Sequence, residues 1–206
     1  MQFDHTQLLA MITGASFAAG LNVYATVATL GLLAHFGVLP LPQNLHLLES
    51  WWVIGVAAVM FAIEFVADKI PAFDMVWNAL HTFVRIPIAA LVAYNASAQL
   101  SPTAQMLTTL LGAGIAMIAH SGKFAIRAAV TPSPEPISNM ALSAGEDVAA
   151  IGLTWFATAH PIVAATVTLA LIVIVIVLLR MMWRSVKRLL EDTRTTMRGL
   201  IHRHSS

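Results

Sequence analysis

Four basic residues of this chain lie inside or at the edge of long apolar stretches: Lys69, Arg85, Lys123 and Arg127. A charge at the centre of a bilayer costs about 2.5–3.5 kcal/mol on insertion scales, so it usually faces a protein interior or a water-filled cavity. Five acids accompany these bases, at Glu64, Asp68, Asp74, Glu146 and Asp147. The sequence therefore predicts a polar interior inside a membrane protein.

The densest polar pattern lies on the predicted third helix. Its members recur at spacings of four, three and four, at Asp74, Asn78, His81 and Arg85. Residues three and four apart share a helical face, so these side chains form one polar stripe. In the structural interpretation, Asp74 caps the helix and Arg85 pairs with an acid of a neighbouring span. We expect that acid to be Asp147 or Asp68.

The neighbouring helices carry similar stripes. His120, Lys123 and Arg127 fall at spacings of three and four, and Glu146 and Asp147 lie on the next helix. Opposite charges on adjacent spans can neutralise one another, but the bases can also bind an anionic group while the acids accept protons. The candidate substrate-binding residues are Arg85, Arg127, Lys123, His81, His120 and Asn78. The candidate proton-coupling or ion-pairing residues are Glu64, Asp68, Asp74, Glu146 and Asp147.

A milder polar stripe, formed by Asn22, Thr26 and Thr29, lies in the first apolar stretch. Because Gly14 and Gly20 precede it, we interpret this stretch as a closely packed helix with interhelical hydrogen bonds.

Several classes of chemistry have no support in the sequence. There is no cysteine, which excludes disulfides and thiolate chemistry. The histidines His81, His120 and His160 lack the close spacing of a metal-binding helix, so we predict no metal site. The chain also has no Gly-rich phosphate loop and no nucleophile elbow. We therefore predict no cofactor, and an enzyme is the less favoured class.

The elements that must position these residues are membrane helices. The chain has 206 residues, of which 58% are hydrophobic and 10% charged, against about 25% charged in a typical soluble domain. The expected fold is an all-α, polytopic membrane helix bundle with about six transmembrane helices. Their expected bounds are about Leu8 to Phe36, Trp51 to Val66, Asp74 to Ala96, Thr103 to Val130, Asn139 to Thr158, and from Pro161 onward.

Two triplets of spans raise the hypothesis of an internal repeat. The run ITGA at 12–15 resembles LLGA at 110–113. Because each triplet has an odd number of spans, a true repeat would consist of two inverted three-helix units, as in many transporters. Chance similarity between short apolar runs is the alternative.

Basic residues are concentrated at the end of the chain. Seven of the 11 Lys and Arg residues lie within 180–206. Since basic segments stay on the cytoplasmic side, we divide the chain into a transmembrane domain, 1–179, and a basic cytoplasmic tail, 180–206. Six spans then place both termini in the cytoplasm. We expect a short helix from about Trp183 on the inner leaflet, binding anionic lipid headgroups at about 1 kcal/mol per base. No nucleic-acid partner is predicted.

Three segments carry a family resemblance: ADKIPAFDMVWNALHTFVRIP, GLNVYATVATLGL and SAGEDVAAIGLTWFATAHPIVA. They resemble a family of small bacterial inner-membrane proteins, domain of unknown function 4126, over most of the chain before the tail. The resemblance implies a multi-span protein of the bacterial inner membrane and brings no assigned activity. The run HTFVRIP also resembles, more weakly, motifs of DedA-type lipid transporters.

These observations favour a small transporter or lipid-translocating protein with a charged intramembrane site for an anionic substrate. The alternatives are an intramembrane enzyme on lipid-linked substrates, with His81 or His120 as general base, and a non-catalytic helper of a membrane complex. Expected partners are membrane lipids and a small anionic or lipid substrate. The coupling ion and a homo-oligomeric state stay open.

Overall fold

A computed structural model describes residues 4–38, 41–130 and 136–204, and in these ranges the chain forms helices and no strand. The all-α bundle is thus confirmed. A 3-10 helix, Gln43–Glu49, precedes α3. The α-helices are α1 His5–Leu21, α2 Val23–His35, α3 Trp51–Ala67, α4 Pro71–Ala96, α5 Pro102–Val130, α6 Pro136–Ala159 and α7 Pro161–His204.

The predicted first span is broken at Asn22, which corrects the expectation of one helix from Leu8 to Phe36. Asn22 has extended backbone angles, φ −149° and ψ 103°. Its Oδ1 accepts a hydrogen bond from the backbone N–H of Ala25 at 2.9 Å, so its side chain caps α2. Asparagine competes with the helical backbone in this way and is among the best N-cap residues. The result is two helices of 17 and 13 residues.

Helix α1 lies at the centre of the bundle and packs against α4, α5, α6 and α7. Eleven of its 17 residues are buried. A Cβ at Gly14 would lie 2.9 Å from Cβ of Ala157, and one at Gly20 would lie 2.7 Å from Cβ of Ala119. Only glycine permits these close approaches, as predicted from the small residues of this segment.

Three helical segments among the described residues are long and apolar enough to cross a membrane: Val76–Ala96, Pro102–Arg127 and Pro161–Glu191. A fourth span results if the 3-10 helix and α3, which meet at 64°, are one bent element. The first predicted span is absent from this group because its break leaves two helices that are each too short. Helix α6 is absent because Glu146 and Asp147 lower its mean hydropathy. The protein is a polytopic membrane protein, while the count of six spans and the inverted repeat stay predictions.

Helix α7 continues from Pro161 to His204 without interruption. The separate short helix expected from about Trp183 is therefore wrong. Between Ile162 and Arg198 the sequence contains neither proline nor glycine, so nothing in this stretch ends the helix. The division into a domain of 1–179 and a tail of 180–206 stays a prediction.

Candidate functional site

Six side chains that carry acidic or basic groups meet beside the break between α1 and α2, and they come from four helices. Three are acids and three are bases, and each is at most 9% exposed. We call this group the charged cluster. Its members are Glu64 of α3, Asp68 at the C-cap of α3, Arg85 of α4, Lys123 and Arg127 of α5, and Glu146 of α6. With all six groups ionised, the formal charges of the cluster cancel.

Arg85 is fully buried and pairs through Nη2 with Oε1 of Glu64. The expected partners, Asp147 and Asp68, were wrong. Asp68 lies one helical turn after Glu64 and contacts Lys123 and Arg127 instead. Asp147 is held elsewhere, by a side chain at the helix break. The expectation that Arg85 needs an acidic partner was correct, and only its identity differed.

His120 connects Arg85 to a neutral hydrogen-bond chain. Arg85 Nη1 donates to Nδ1 of His120 at 3.1 Å. Because the guanidinium can only donate, Nδ1 carries no proton and the imidazole proton sits on Nε2. That N–H donates to Oγ1 of Thr82 at 2.7 Å, and the Thr82 hydroxyl donates to the carbonyl of Asn78 at 3.2 Å. The geometry therefore assigns a neutral, Nε2-protonated histidine.

Lys123 lies at the centre of the cluster. Its Nζ is 3.3 Å from Oε1 of Glu64, 3.2 Å from Oδ2 of Asp68 and 3.3 Å from Oε2 of Glu146. It also donates to the carbonyl of Leu21 at 3.2 Å. Leu21 is the last residue of α1, where backbone carbonyls lack helical partners and a cation is favoured. One ammonium thus links three acids to the broken helix.

Arg127 joins α3 to α6. Its Nη2 lies 2.6 Å from Oε2 of Glu146 and 2.8 Å from Oδ2 of Asp68, and its Nε donates to the same Glu146 carboxylate at 3.2 Å. Two donors of one guanidinium on one carboxylate define its orientation. Removing one member of such a buried pair leaves the other charge uncompensated, at about 3–5 kcal/mol.

Asp147 is a further buried acid beside the cluster. Its Oδ1 accepts a hydrogen bond from Nδ2 of Asn22 at 2.8 Å, so it lies at the N-terminal, positive end of α2. Its Oδ2 has no hydrogen-bond partner among the described residues. Because the three bases of the cluster are already matched by three acids, an ionised Asp147 adds a fourth negative charge.

His81 belongs to a separate aromatic group. Its Nδ1 donates to the carbonyl of Trp77 at 2.7 Å, and its Nε2 accepts from the hydroxyl of Tyr24 at 3.0 Å. The rings of Phe73, Trp77 and His81 stack in succession along α4, with centroids 5.6 and 4.2 Å apart. We call these three rings the aromatic ladder.

Residues 9–181 match the family described as Domain of unknown function (DUF4126). The chain belongs to this family. Neither a curated protein nor a solved structure matches it. The weaker likeness to DedA-type transporters is not shown by any of these comparisons.

The DUF4126 match contains the whole charged cluster, Asn22 and Asp147, and ends at Met181, close to the start of the basic segment. The site therefore lies inside the family domain.

The structure brings most of the predicted site residues together. The six members of the charged cluster are joined directly, His120 contacts Arg85, and the buried Asn78 contributes its carbonyl through Thr82. His81 lies in the aromatic group instead. Helix α4 begins at Pro71 after its N-cap Ile70, so the expectation that Asp74 caps this helix is wrong, and the side chain of Asp74 lies outside the described part of the chain. Among the described residues, no three His, Asp or Glu side chains are placed to hold a metal ion.

Three residues that contact predicted site residues were not predicted from the sequence to do so: Asn22, Tyr24 and Thr82. Asn22 carried a usable signal, since it is a strong capping residue inside an otherwise apolar run. Tyr24 and Thr82 carried none, because their contacts depend on which helices are neighbours. Lys69 lies outside the cluster, where its Nζ donates to the carbonyl of Phe65 at 2.7 Å.

Proposed function

We propose that this DUF4126 protein is a membrane transporter whose charged cluster binds the anionic part of a substrate. The observation that supports this most is the break at Asn22, because both helix ends at the break contact buried charged groups. Lys123 contacts the carboxyl end of α1, and Asp147 lies at the amino end of α2. Discontinuous helices with charged groups at their ends form substrate and ion sites in many transporters.

The contacts suggest how an anion would be bound. Arg85 and Arg127 each hold a carboxylate through terminal guanidinium nitrogens, which is also the geometry in which arginine binds phosphate and carboxylate ligands. In the proposed mechanism, an anionic group replaces Glu64 or Glu146 at an arginine. The released acid then takes up a proton, because an unpaired carboxylate is unfavourable in a buried site.

Asp147 is the proposed proton-coupling residue. Its second carboxyl oxygen is unpartnered among the described residues, and the bases of the cluster are matched without it. Protonation would remove the excess negative charge, and the Asn22 amide can still donate to the protonated group. We propose that loss of this proton changes the contact between Asp147 and Asn22, and with it the geometry of the helix break.

We also propose that the protein resides in the bacterial inner membrane with both termini in the cytoplasm. The exposed pair Trp51 and Trp52 would then lie at the external interface, where aromatic residues are enriched. Reporter fusions after Ser206 and within residues 41–50 should give cytoplasmic and external signals, respectively. An external carboxyl terminus would contradict this orientation.

Transport can be tested in sealed proteoliposomes that contain a pH-sensitive dye. Inorganic phosphate, succinate and dihexanoyl phosphatidylglycerol are added outside as probes. We expect at least one probe to drive proton movement with the wild type, and Asp147→Asn to abolish this movement while the protein stays folded. Proton movement that is unchanged in Asp147→Asn would contradict the coupling role. Chemical turnover of a probe in detergent, without a sealed compartment, would instead indicate an enzyme.

A further inference from the structure

An apolar groove runs along the outside of the bundle between α3 and the start of α4. Its volume is about 520 Å³, and its lining consists only of apolar side chains between Val59 and Phe73. This volume lies within the range of about 300–1,000 Å³ that is typical of ligand sites. Because the lining offers no hydrogen-bonding side chain, an occupant must be apolar along this part of its length.

The groove is adjacent to the charged cluster on the same helix. Ala67 lines the groove and is itself buried, while Glu64, three residues earlier, pairs with Arg85. Residues three apart on a helix are surface neighbours. Asp68, the next residue after Ala67, contacts Arg127. Ala67 therefore marks the edge of the groove that is nearest to the buried acids holding the two arginines.

The aromatic ladder links the groove to the polar interior along α4. Phe73 lines the groove and stacks on Trp77, which stacks on His81. The indole Nε1 of Trp77 is a buried donor that has no acceptor among the described residues. Buried donors without partners are rare, and this one is available to an oxygen of a ligand that enters along the ladder.

We propose that the substrate of this transporter is a membrane phospholipid with an anionic headgroup. One acyl chain lies in the groove, and the headgroup phosphate reaches Arg85 or Arg127. The stretch from Val59 to Val66 is about 10 Å long, which is about a third of the hydrocarbon core and matches part of an acyl chain in one leaflet. This inference rests on the proposed transport function and names the substrate class for the same site.

Lipid binding can be measured apart from transport by native mass spectrometry in mild detergent. The probe is palmitoyl-oleoyl phosphatidylglycerol, compared with the zwitterionic phosphatidylcholine of the same chains. Ala62→Trp fills the groove, whereas Ala58→Trp adds the same side chain on an exposed part of α3 outside the groove lining. Val66→Trp serves as a second groove variant if Ala62→Trp does not fold.

We expect the wild type and Ala58→Trp to bind phosphatidylglycerol in preference to phosphatidylcholine. The groove variants should lower the bound fraction by about ten-fold or more, because a tenfold change needs only about 1.4 kcal/mol of lost apolar contact. Equal binding by all variants would overturn the inference. So would a dimer that Ala62→Trp dissociates, since the groove would then be an interface between two copies.

Translocation of fluorescent phosphatidylglycerol in proteoliposomes separates this inference from the proposed function. Lipid that binds in the groove but is not translocated would retain the binding site and overturn the lipid as the transported substrate. Uptake of inorganic phosphate or succinate that Ala62→Trp leaves unchanged would support transport and overturn the lipid substrate. Translocation that is lost in Ala62→Trp and kept in Ala58→Trp would support both.

Discussion

Asn22 donates a hydrogen bond from Nδ2 to Oδ1 of Asp147 at 2.8 Å, although the two residues are 125 positions apart in the chain. The same asparagine caps α2 through Oδ1, so one amide group ends a helix and holds a buried acid. One side chain thereby joins the helix break to Asp147.

Asn22→Ala should destabilise the protein in two ways. Loss of an N-cap lowers the free energy of unfolding by about 0.5–2 kcal/mol, and an unsatisfied buried acid adds about 1–3 kcal/mol. Thermal unfolding in mild detergent measures the change. Thr13→Ala is a suitable control, because within the described ranges the Thr13 hydroxyl bonds only to the carbonyl of Leu9 in its own helix. Equal midpoints for the two variants would contradict the double role of Asn22.

The neutral state of His120 gives a second prediction. Thr82→Val removes the hydroxyl that accepts from Nε2 of His120 and should lower the free energy of unfolding by about 1–3 kcal/mol. Thr82→Ser keeps the hydroxyl and should remain close to wild type. Nitrogen NMR of labelled histidine should show the proton of His120 on Nε2. A doubly protonated ring would contradict this assignment, because Nδ1 of His120 could then not accept the hydrogen bond from Arg85.

Close packing of α1 against α5 gives a third prediction. A Cβ at Gly20 would overlap the carbonyl of Ala116 and lie 2.7 Å from Cβ of Ala119. Gly20→Ala should therefore destabilise the bundle by about 1–3 kcal/mol through overpacking. Gly114→Ala is the matched control on α5, since its Cβ would meet nothing within 4 Å. Thermal unfolding of both variants measures the difference, and a stable Gly20→Ala would refute the packing argument.

The periodicity of the sequence predicted which side chains share a helical face, because that depends only on spacing within a helix. It placed Lys123 and Arg127 together, and their contacts with acids of other helices follow from burial. The choice between Glu64 and Asp68 for Arg85 could not be predicted. Glu64 and Asp68 are one helical turn apart on the same side of α3. Which of them meets Arg85 depends on how far α3 is shifted along its axis relative to α4.

The break at Asn22 shows a different limit of prediction. Hydropathy over the segment from Leu8 to Phe36 favours one continuous span, and the capping preference of a single asparagine is small beside it. The contact with Asp147 adds to that preference, but it exists only once α6 is packed beside the break. Local sequence patterns therefore predicted the helices, whereas the end of α1 depends on a long-range contact that these patterns do not contain.

The pairing of Arg85 with Glu64 gives the prediction that separates a structural role from a transport role. Arg85→Met alone leaves Glu64 with an excess negative charge, and Glu64→Gln alone leaves an excess positive charge. Each change should cost about 3–5 kcal/mol, and low expression or a lower unfolding midpoint would report it. The double variant Arg85→Met with Glu64→Gln restores the charge balance of the cluster and should recover the fold.

Arg85→Met combined with Asp147→Asn is the matched control for this pair. It likewise replaces one base and one acid but keeps Glu64 without its arginine, so it should fold less well than the Arg85–Glu64 double variant. Transport in proteoliposomes then distinguishes the roles. An arginine that binds substrate cannot be replaced by methionine, so the refolded double variant should stay inactive. Full transport by that variant would show that Arg85 serves only the fold.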